Sequence, residues 1–259
     1  MSSAPSTKRS DRMVNLLEIL KRDGEKSLTD LADELGSSAA TIRRDVAHLA
    51  ERGLLERTHG GAKRVPCPSL PVRLRDGHHP QAKQAIANAV ASLIPAGQHA
   101  IALTGGSTTA ATLRGLSHRD DLTLITNSLS LGLAAAELGQ ERVLIAGGVL
   151  RPKSLELVGK LAESTMKLVH VDTAIIGADG CCPQEGLTTH DEIESRTNRL
   201  MIDRAETVIA VIDSSKLGTS AASHLAPLSD VDVLVTDDGA DRLIVQAIRN
   251  LGVDVRVAS

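Results

Sequence analysis

SSAATIRRDVAHLAERGLLERTHGGA, residues 37–62, decides how the chain is read. Ile42, Val46 and Leu49 recur at i, i+4 and i+7, a single apolar stripe that must face a core. Ser38 is placed to cap the N-terminus of this helix, and Gly53 stands just past its end, where a C′ glycine is expected. Thr41, Arg43, Arg44 and His48 are left on the outward face. A short helix that is apolar behind and carries adjacent arginines in front fits a DNA major groove. The competing reading is a plain surface helix whose arginines pair with Asp45 or Glu51.

The flanks decide between them. Leu28, Leu31, Ala32 and Leu35 mark a preceding helix, and Gly36 gives the tight turn of a helix-turn-helix. Downstream, Leu54–Ala62 reads as a short strand running into a glycine turn, the outline of a winged hairpin. Arg43 and Arg44 are expected at base edges or phosphates, supported by Ser38 and Thr41, with Arg57, His59 and Lys63 in the wing.

The pairing of TIRRDV (Thr41–Val46) with RTHGGA (Arg57–Ala62) resembles the DeoR family of bacterial transcriptional regulators. The resemblance runs from about residue 11 to 257, through ALTGGSTTA, LITNSL, SLELVG, IIGADG, GLTTHDEIESRTNR and DSSKLG.

Composition is compatible with a globular DNA-binding protein. The 259 residues are 42% hydrophobic and 24% charged, enough for one or two domains. No apolar run reaches membrane-spanning length and Met1–Ser10 lacks a signal-peptide pattern, so a cytoplasmic protein is expected. Cys67, Cys181 and Cys182 have no ligand spacing, and neither metal nor cofactor is expected. Through residue 65 there are 12 Lys+Arg against 10 Asp+Glu; beyond it, 17 against 22, reproducing the net −3. A slightly basic head on an acidic body agrees with DNA at one end and another ligand at the other.

Phe, Tyr and Trp are wholly absent. Members of the resembled family usually place aromatics where Leu74, Leu155, Ile175 and Leu217 stand here, which reads as a variant whose rings were replaced, mainly by aliphatics. Such exchanges risk cavities unless volume and pattern are kept.

In chain order, Met13, Leu16, Leu17 and Leu20 predict an amphipathic helix over 11–22, capped by Ser10 or Asp11, and the head ends near Val65. Pro66, Pro68, Pro71, Gly77 and Pro80 mark an extended linker over 66–80, whose His78 and His79 are read as structural or solvated. From 81 to 259 a helix over Lys83–Leu93 leads into short apolar runs, each ending in a small or polar cluster and alternating with helices. This is the pattern of a Rossmann-like α/β domain with a parallel sheet. Ligands in such sheets sit at the carboxyl ends of strands. There Gly105 and Gly106 admit an anion, and Ser107, Thr108 and Thr109 offer hydroxyls and N–H groups at a helix start. Thr126, Asn127 and Ser128 add neutral donors, Lys216 a positive charge, and Asp179 an acceptor for hydroxyls. Together these predict a pocket for a polyol phosphate.

The family resemblance implies a fold similar to ribose-5-phosphate isomerase, and a phosphorylated sugar or related metabolite as inducer. Many members carry Asp where Thr104 stands. The segment from Gly186 to Arg199, with Thr188, Thr189, His190, Asp191 and Glu192, is left open between pocket mouth and subunit contact. An isomerase joined to a DNA-binding head is the alternative; the isomerases have an acidic residue where this chain has Gly180, and a proton transfer needs a positioned base. A third reading makes the body purely an oligomerisation module. The expected protein is thus a repressor of a carbohydrate operon, not an enzyme. It binds operator DNA as a homo-oligomer and is released by its effector through the 66–80 linker.

Overall fold

The computed structural model describes residues 7–65, 72–75 and 78–259. Two compact units divide between His78 and His79.

In the first unit, α1 (Thr7–Asp23) is followed by β1 (Glu25–Ser27), α2 (Leu28–Glu34) and α3 (Ala39–Glu51), then the strands β2 (Leu55–Thr58) and β3 (Gly61–Arg64). The expected stripe holds: Ile42, Val46 and Leu49 pack with Met13, Leu16, Leu20, Leu31 and Ala62 into one core without a ring in it. Ser38 caps α3 by accepting from the Thr41 N–H at 3.2 Å, and Ser27 caps α2 through the Asp30 N–H at 3.1 Å. α1 starts earlier than its pattern suggests, so Ser10 and Asp11 lie inside the helix rather than capping it, and Ser10 is buried. The wing is larger than a hairpin, because β1 pairs antiparallel with β3 and makes a three-stranded sheet. Gly61 is where the two strands close on each other: a Cβ there would stand 2.3 Å from the Lys26 carbonyl oxygen.

Of the expected linker, residues 66–71, 76 and 77, with Cys67, lie outside the described residues. Val72–Arg75 is not extended but a single helical turn, α4, with Val72 buried. His78 Nε2 lies 2.9 Å from Glu18 of α1.

The second unit opens with α5 (Pro80–Ala91), which begins three residues before the expected Lys83 because Pro80 supplies a preset first helical residue. There follow β4 (His99–Leu103), α6 (Ser107–Gly115), β5 (Leu122–Thr126), α7 (Leu129–Glu137) and β6 (Val143–Ile145). A hairpin of β7 (Val149–Arg151) and β8 (Glu156–Val158) leads to α8 (Lys160–Lys167) and β9 (Val171–Ile176). The strands β10 (Gly180–Cys182) and β11 (Gly186–Thr189) precede α9 (Glu192–Asp203) and β12 (Ala205–Val211). The chain ends through β13 (Ser223–Ala226), β14 (Val233–Asp237), α10 (Arg242–Arg249) and β15 (Asp254–Ala258).

Seven strands form one parallel sheet in the order β15-β14-β12-β9-β4-β5-β6. Alternate strand residues serve opposite faces. Ile101, Leu103, Leu124, Ile175 and Val211 pack with Ile86, Val90 and Leu113 of α5 and α6, while Ala102, Ile125, Ala174 and Ile176 pack with Met166, Met201 and Ile248 of α8, α9 and α10. The winding reverses between β4 and β9: β5 and β6 continue to one side, β12, β14 and β15 to the other. A crevice is expected beyond the carboxyl ends of strands at such a switch point.

Candidate DNA-reading surface and candidate anion pocket

On the first unit, Arg43 and Arg44 are exposed on α3, and among the described residues neither is held in an ion pair. The competing reading pairs them with Asp45 or Glu51. Instead, Asp45 is buried and receives Arg12 Nε at 2.6 Å and Arg9 Nε at 3.3 Å, both from α1. The acid that could have neutralised the reading face is turned inward. Ser38 and Thr41 are linked by their hydroxyls at 2.9 Å and hold the start of α3. His48 is driven toward its neutral form by burial first and by Arg52 and Arg9 second, so it adds no charge to this face near neutral pH. In the wing, Arg57, His59 and Lys63 are all exposed. They differ in setting: Lys63 stands in register between Glu25 and Glu56, whereas Arg57 stands opposite Ala62. Cross-strand acids balance the lysine and leave the arginine's charge outward.

On the second unit, the loops after β4 and β9 meet at the switch point. Thr104, fully buried, accepts from the Gly177 N–H through its Oγ1 at 2.9 Å and ties the two loops together. Lys216 Nζ donates to the Ala178 carbonyl at 2.9 Å and lies 3.8 Å from Asp213 Oδ2, so its charge stands beside the same loops. Burial pushes the Asp213 carboxyl up, but Lys216, the Ser215 hydroxyl, Lys83 and His79 together outweigh it and hold the group below the ordinary carboxylate range. Lys83, which pattern alone makes an ordinary helix residue, is buried within this charged cluster.

Gly105 and Gly106 are partly exposed, and Gly106 occupies the N-cap of α6 at φ +142°, with no side chain capping the helix. The first N–H groups of α6 are therefore without a side-chain acceptor, which is the chemistry of an anion site. The hydroxyls divide by role. Thr109 Oγ1 turns back to the Gly106 carbonyl at 2.9 Å, while Thr108 Oγ1 is buried with no hydrogen-bond partner. Ser107 is buried in the first turn. Thr126 donates to the Leu103 carbonyl at 2.7 Å and accepts from the Ser128 N–H at 3.0 Å; Ser128 caps α7 through the Leu131 N–H at 3.3 Å. Both are sealed into the scaffold. Asn127 keeps a buried Oδ1 without a partner. Asp179 is half-buried after β9, and its N–H donates to the Thr188 carbonyl.

Four residues that the sequence did not mark enter here. Glu156 Oε1 accepts from the Gly105 N–H at 2.7 Å and from Asn198 Nδ2 at 3.2 Å, and Asn198 Oδ1 accepts from Asn127 Nδ2 at 2.8 Å. The rest of the Glu156 carboxyl is buried beside the Glu194 carboxyl, with which it shares a hydrogen bond. Burial, and then Glu194, raise the Glu156 carboxyl well above its ordinary range, which favours its protonated form. Arg151 anchors Glu194 at 2.8 Å and Asp191 at 3.1 Å. A Cβ on Gly105 would lie 2.7 Å from Glu156 Cγ, which is the one trace of this contact in the sequence.

Of the segment left open, Thr188 and Thr189 are buried, Thr188 donating to the Gly180 carbonyl, and Asp191 caps α9 through the Ile193 and Glu194 N–H groups. Glu192 is exposed. Cys181 is inert: burial, then Cys182, push its thiol up to about 12.

A winged helix with exposed arginines, followed along the chain by a separate parallel-sheet α/β unit, is the organisation of a DNA-binding regulator with a sensor body. Residues 12–66 match the model of the DeoR-like helix-turn-helix domain, and residues 78–238 that of the DeoR C terminal sensor domain. The chain belongs to the DeoR family of transcriptional regulators. It is 34% identical to the HTH-type transcriptional regulator GlpR of Haloferax volcanii, over 95% of this chain and 96% of that protein. It is 31% identical to the glycerol-3-phosphate regulon repressor of Escherichia coli, over 89% and 91%. The structure of ribose 5-phosphate isomerase A from Methanocaldococcus jannaschii aligns with 52% of each chain at TM-score 0.40 and 18% identity, too distant a likeness to bear on function. Among the described residues no helix is long and apolar enough to cross a membrane.

Proposed function

We propose that the protein represses a carbohydrate-catabolism operon in the cytoplasm, binding operator DNA as a homo-oligomer and releasing it when a phosphorylated sugar or polyol occupies the β4/β9 rim. The observation that carries this is the α6 N-terminus at the sheet's switch point, without a side-chain cap and flanked by Lys216. In this reading the phosphate sits on the N–H groups of Gly106, Ser107 and Thr108, with Lys216 supplying the counter-charge and Asp179 and Asn127 accepting from hydroxyls. Arg43 and Arg44 enter the major groove, Arg57 and His59 follow the backbone in the wing, and Lys63 is secondary. A repressor named for glycerol 3-phosphate among the relatives supports a small phosphorylated effector.

The pocket binds rather than catalyses. The position at which the isomerases carry an acid is Gly180, where a Cβ would stand 2.7 Å from the Thr219 carbonyl and 2.8 Å from Thr188 Oγ1. No side chain enters there without moving strands.

The test is a thermal-shift screen against sugar phosphates, polyol phosphates and glycerol phosphate, repeated on Lys216→Ala and Arg43→Ala. A ligand that binds only the folded state raises its melting point with concentration. Selective stabilisation that is lost in Lys216→Ala and kept in Arg43→Ala, with operator binding showing the reverse pattern, is expected. A compound that stabilises both variants equally rejects the pocket; turnover of that compound rejects the non-catalytic reading.

A further inference from the structure

At the opposite ends of the strands from the anion rim, β9 and β12 begin side by side, with Val171 in register with Ala205 and Thr173 with Thr207. That register puts Glu206 level with Asp172, and the period-2 alternation of β9 puts His170 on the same face as Asp172. Among the described residues these three gather one imidazole and two carboxylates whose ligand atoms all lie within 4.8 Å of one another. The regulation described above does not use them.

The spacing is informative. His170 Nε2 is 3.3 Å from Asp172 Oδ1 and 3.4 Å from Glu206 Oε1. A charge-assisted N–H···O⁻ contact would draw in to about 2.7–2.9 Å. The edge of a tetrahedron with metal–ligand bonds of about 2.0–2.1 Å is about 3.3–3.4 Å. Asp172 is itself held in place by its other oxygen. Its Oδ2 accepts from the Ala100 N–H at 2.6 Å, and His99, fixed by Thr173 Oγ1 at 2.9 Å, brings Nδ1 within 3.8 Å of the same oxygen. That leaves Oδ1 turned to His170, the arrangement in which outer groups fix a ligand.

We propose that His170, Asp172 and Glu206 bind one divalent transition-metal ion of the zinc class, with the remaining coordination position open to water. A neutral imidazole and two carboxylates carry −2, which a divalent ion neutralises. The imidazole favours zinc-like ions over magnesium or calcium, which take all-oxygen sets. His170 and Glu206 are exposed, so the ion enters from solvent without the strands opening. Bound there, it would clip the starts of two neighbouring strands.

The experiment uses the full chain, stripped by chelator and dialysed, then titrated with Co²⁺ and read by its visible absorption, with Zn²⁺ added afterwards. The expected result is one equivalent of Co²⁺ giving the intense bands of a tetrahedral site, displaced by Zn²⁺. His170→Ala and Glu206→Gln should each remove the bands. Each should also weaken Zn²⁺ binding by more than the roughly 10–100-fold cost of losing an outer-shell partner. His118→Ala, which removes an exposed histidine elsewhere on this unit, should change nothing. Absence of tetrahedral bands in the unsubstituted chain overturns the site. So does their survival in His170→Ala or their loss in His118→Ala. Because both tested ligands are exposed, the metal-free melting point of each variant is expected to match the parent.

Discussion

Glu156 is the buried acid tied to the loop after β4 through the Gly105 N–H. A carboxyl in the unfolded chain releases its proton near 4.5, whereas in the folded chain burial and Glu194 retain it to higher pH. Over that interval the native state binds more protons than the unfolded one, so stability falls as pH rises. Glu156→Gln keeps an acceptor for the Gly105 N–H and removes the titration. The expected outcome is that the parent's melting point declines relative to the variant's from the ordinary carboxyl range upward. Parallel profiles would place the proton elsewhere. Nothing in the run Leu155-Glu-Leu-Val singled out this acid, since one carboxylate between two leucines carries no local sign of its partner. It takes the β7–β8 hairpin, with Leu155 at φ +57°, to bring the carboxyl under Gly105. Thr126 and Ser128 show the converse: residues of the right chemistry in the right loop, whose hydroxyls the backbone had already consumed.

Among the elements, α3 was the most legible, because stripe, cap and terminating glycine are all local signals. Its outward face was readable too, but the role of Asp45 was not, since an acid beside two arginines gives no hint that α1 claims it. That contact makes a prediction. Asp45→Ala leaves Arg9 and Arg12 without their shared acceptor, and should cost the head about 1–3 kcal/mol, limited because both arginines reach solvent. Calorimetry should find the head's transition lowered while operator affinity, measured well below it, stays close to the parent's. A matching loss of affinity would mean that Asp45 shapes the reading face directly. The additional strands β1, β7, β8, β10, β11 and β13 carry little local signal, each being three or four residues long, at or below the shortest run in which alternation shows.

For the whole molecule, a parallel sheet covered by helices followed from the alternation of apolar runs with helices. The reversal of winding between β4 and β9 did not, because strand order is a long-range property. If effector and operator compete through the folded protein, the coupling must be reciprocal. The compound found in the thermal screen should weaken operator binding by the same factor by which operator weakens its own binding, read by anisotropy in one direction and calorimetry in the other. Unequal factors would mean that the two ligands do not share one thermodynamic cycle.

The central place of β4 bears on the protein's birth. Its backbone pairs with β5 soon after both are made, but its other edge waits for β9, with Ala100 meeting Asp172 across 72 residues. At a synthesis rate of about 5–20 residues per second, that edge stays open for about 4–14 s on the ribosome. A nascent chain of this protein therefore carries an unpaired strand that a chaperone, or a neighbouring nascent chain, can reach first.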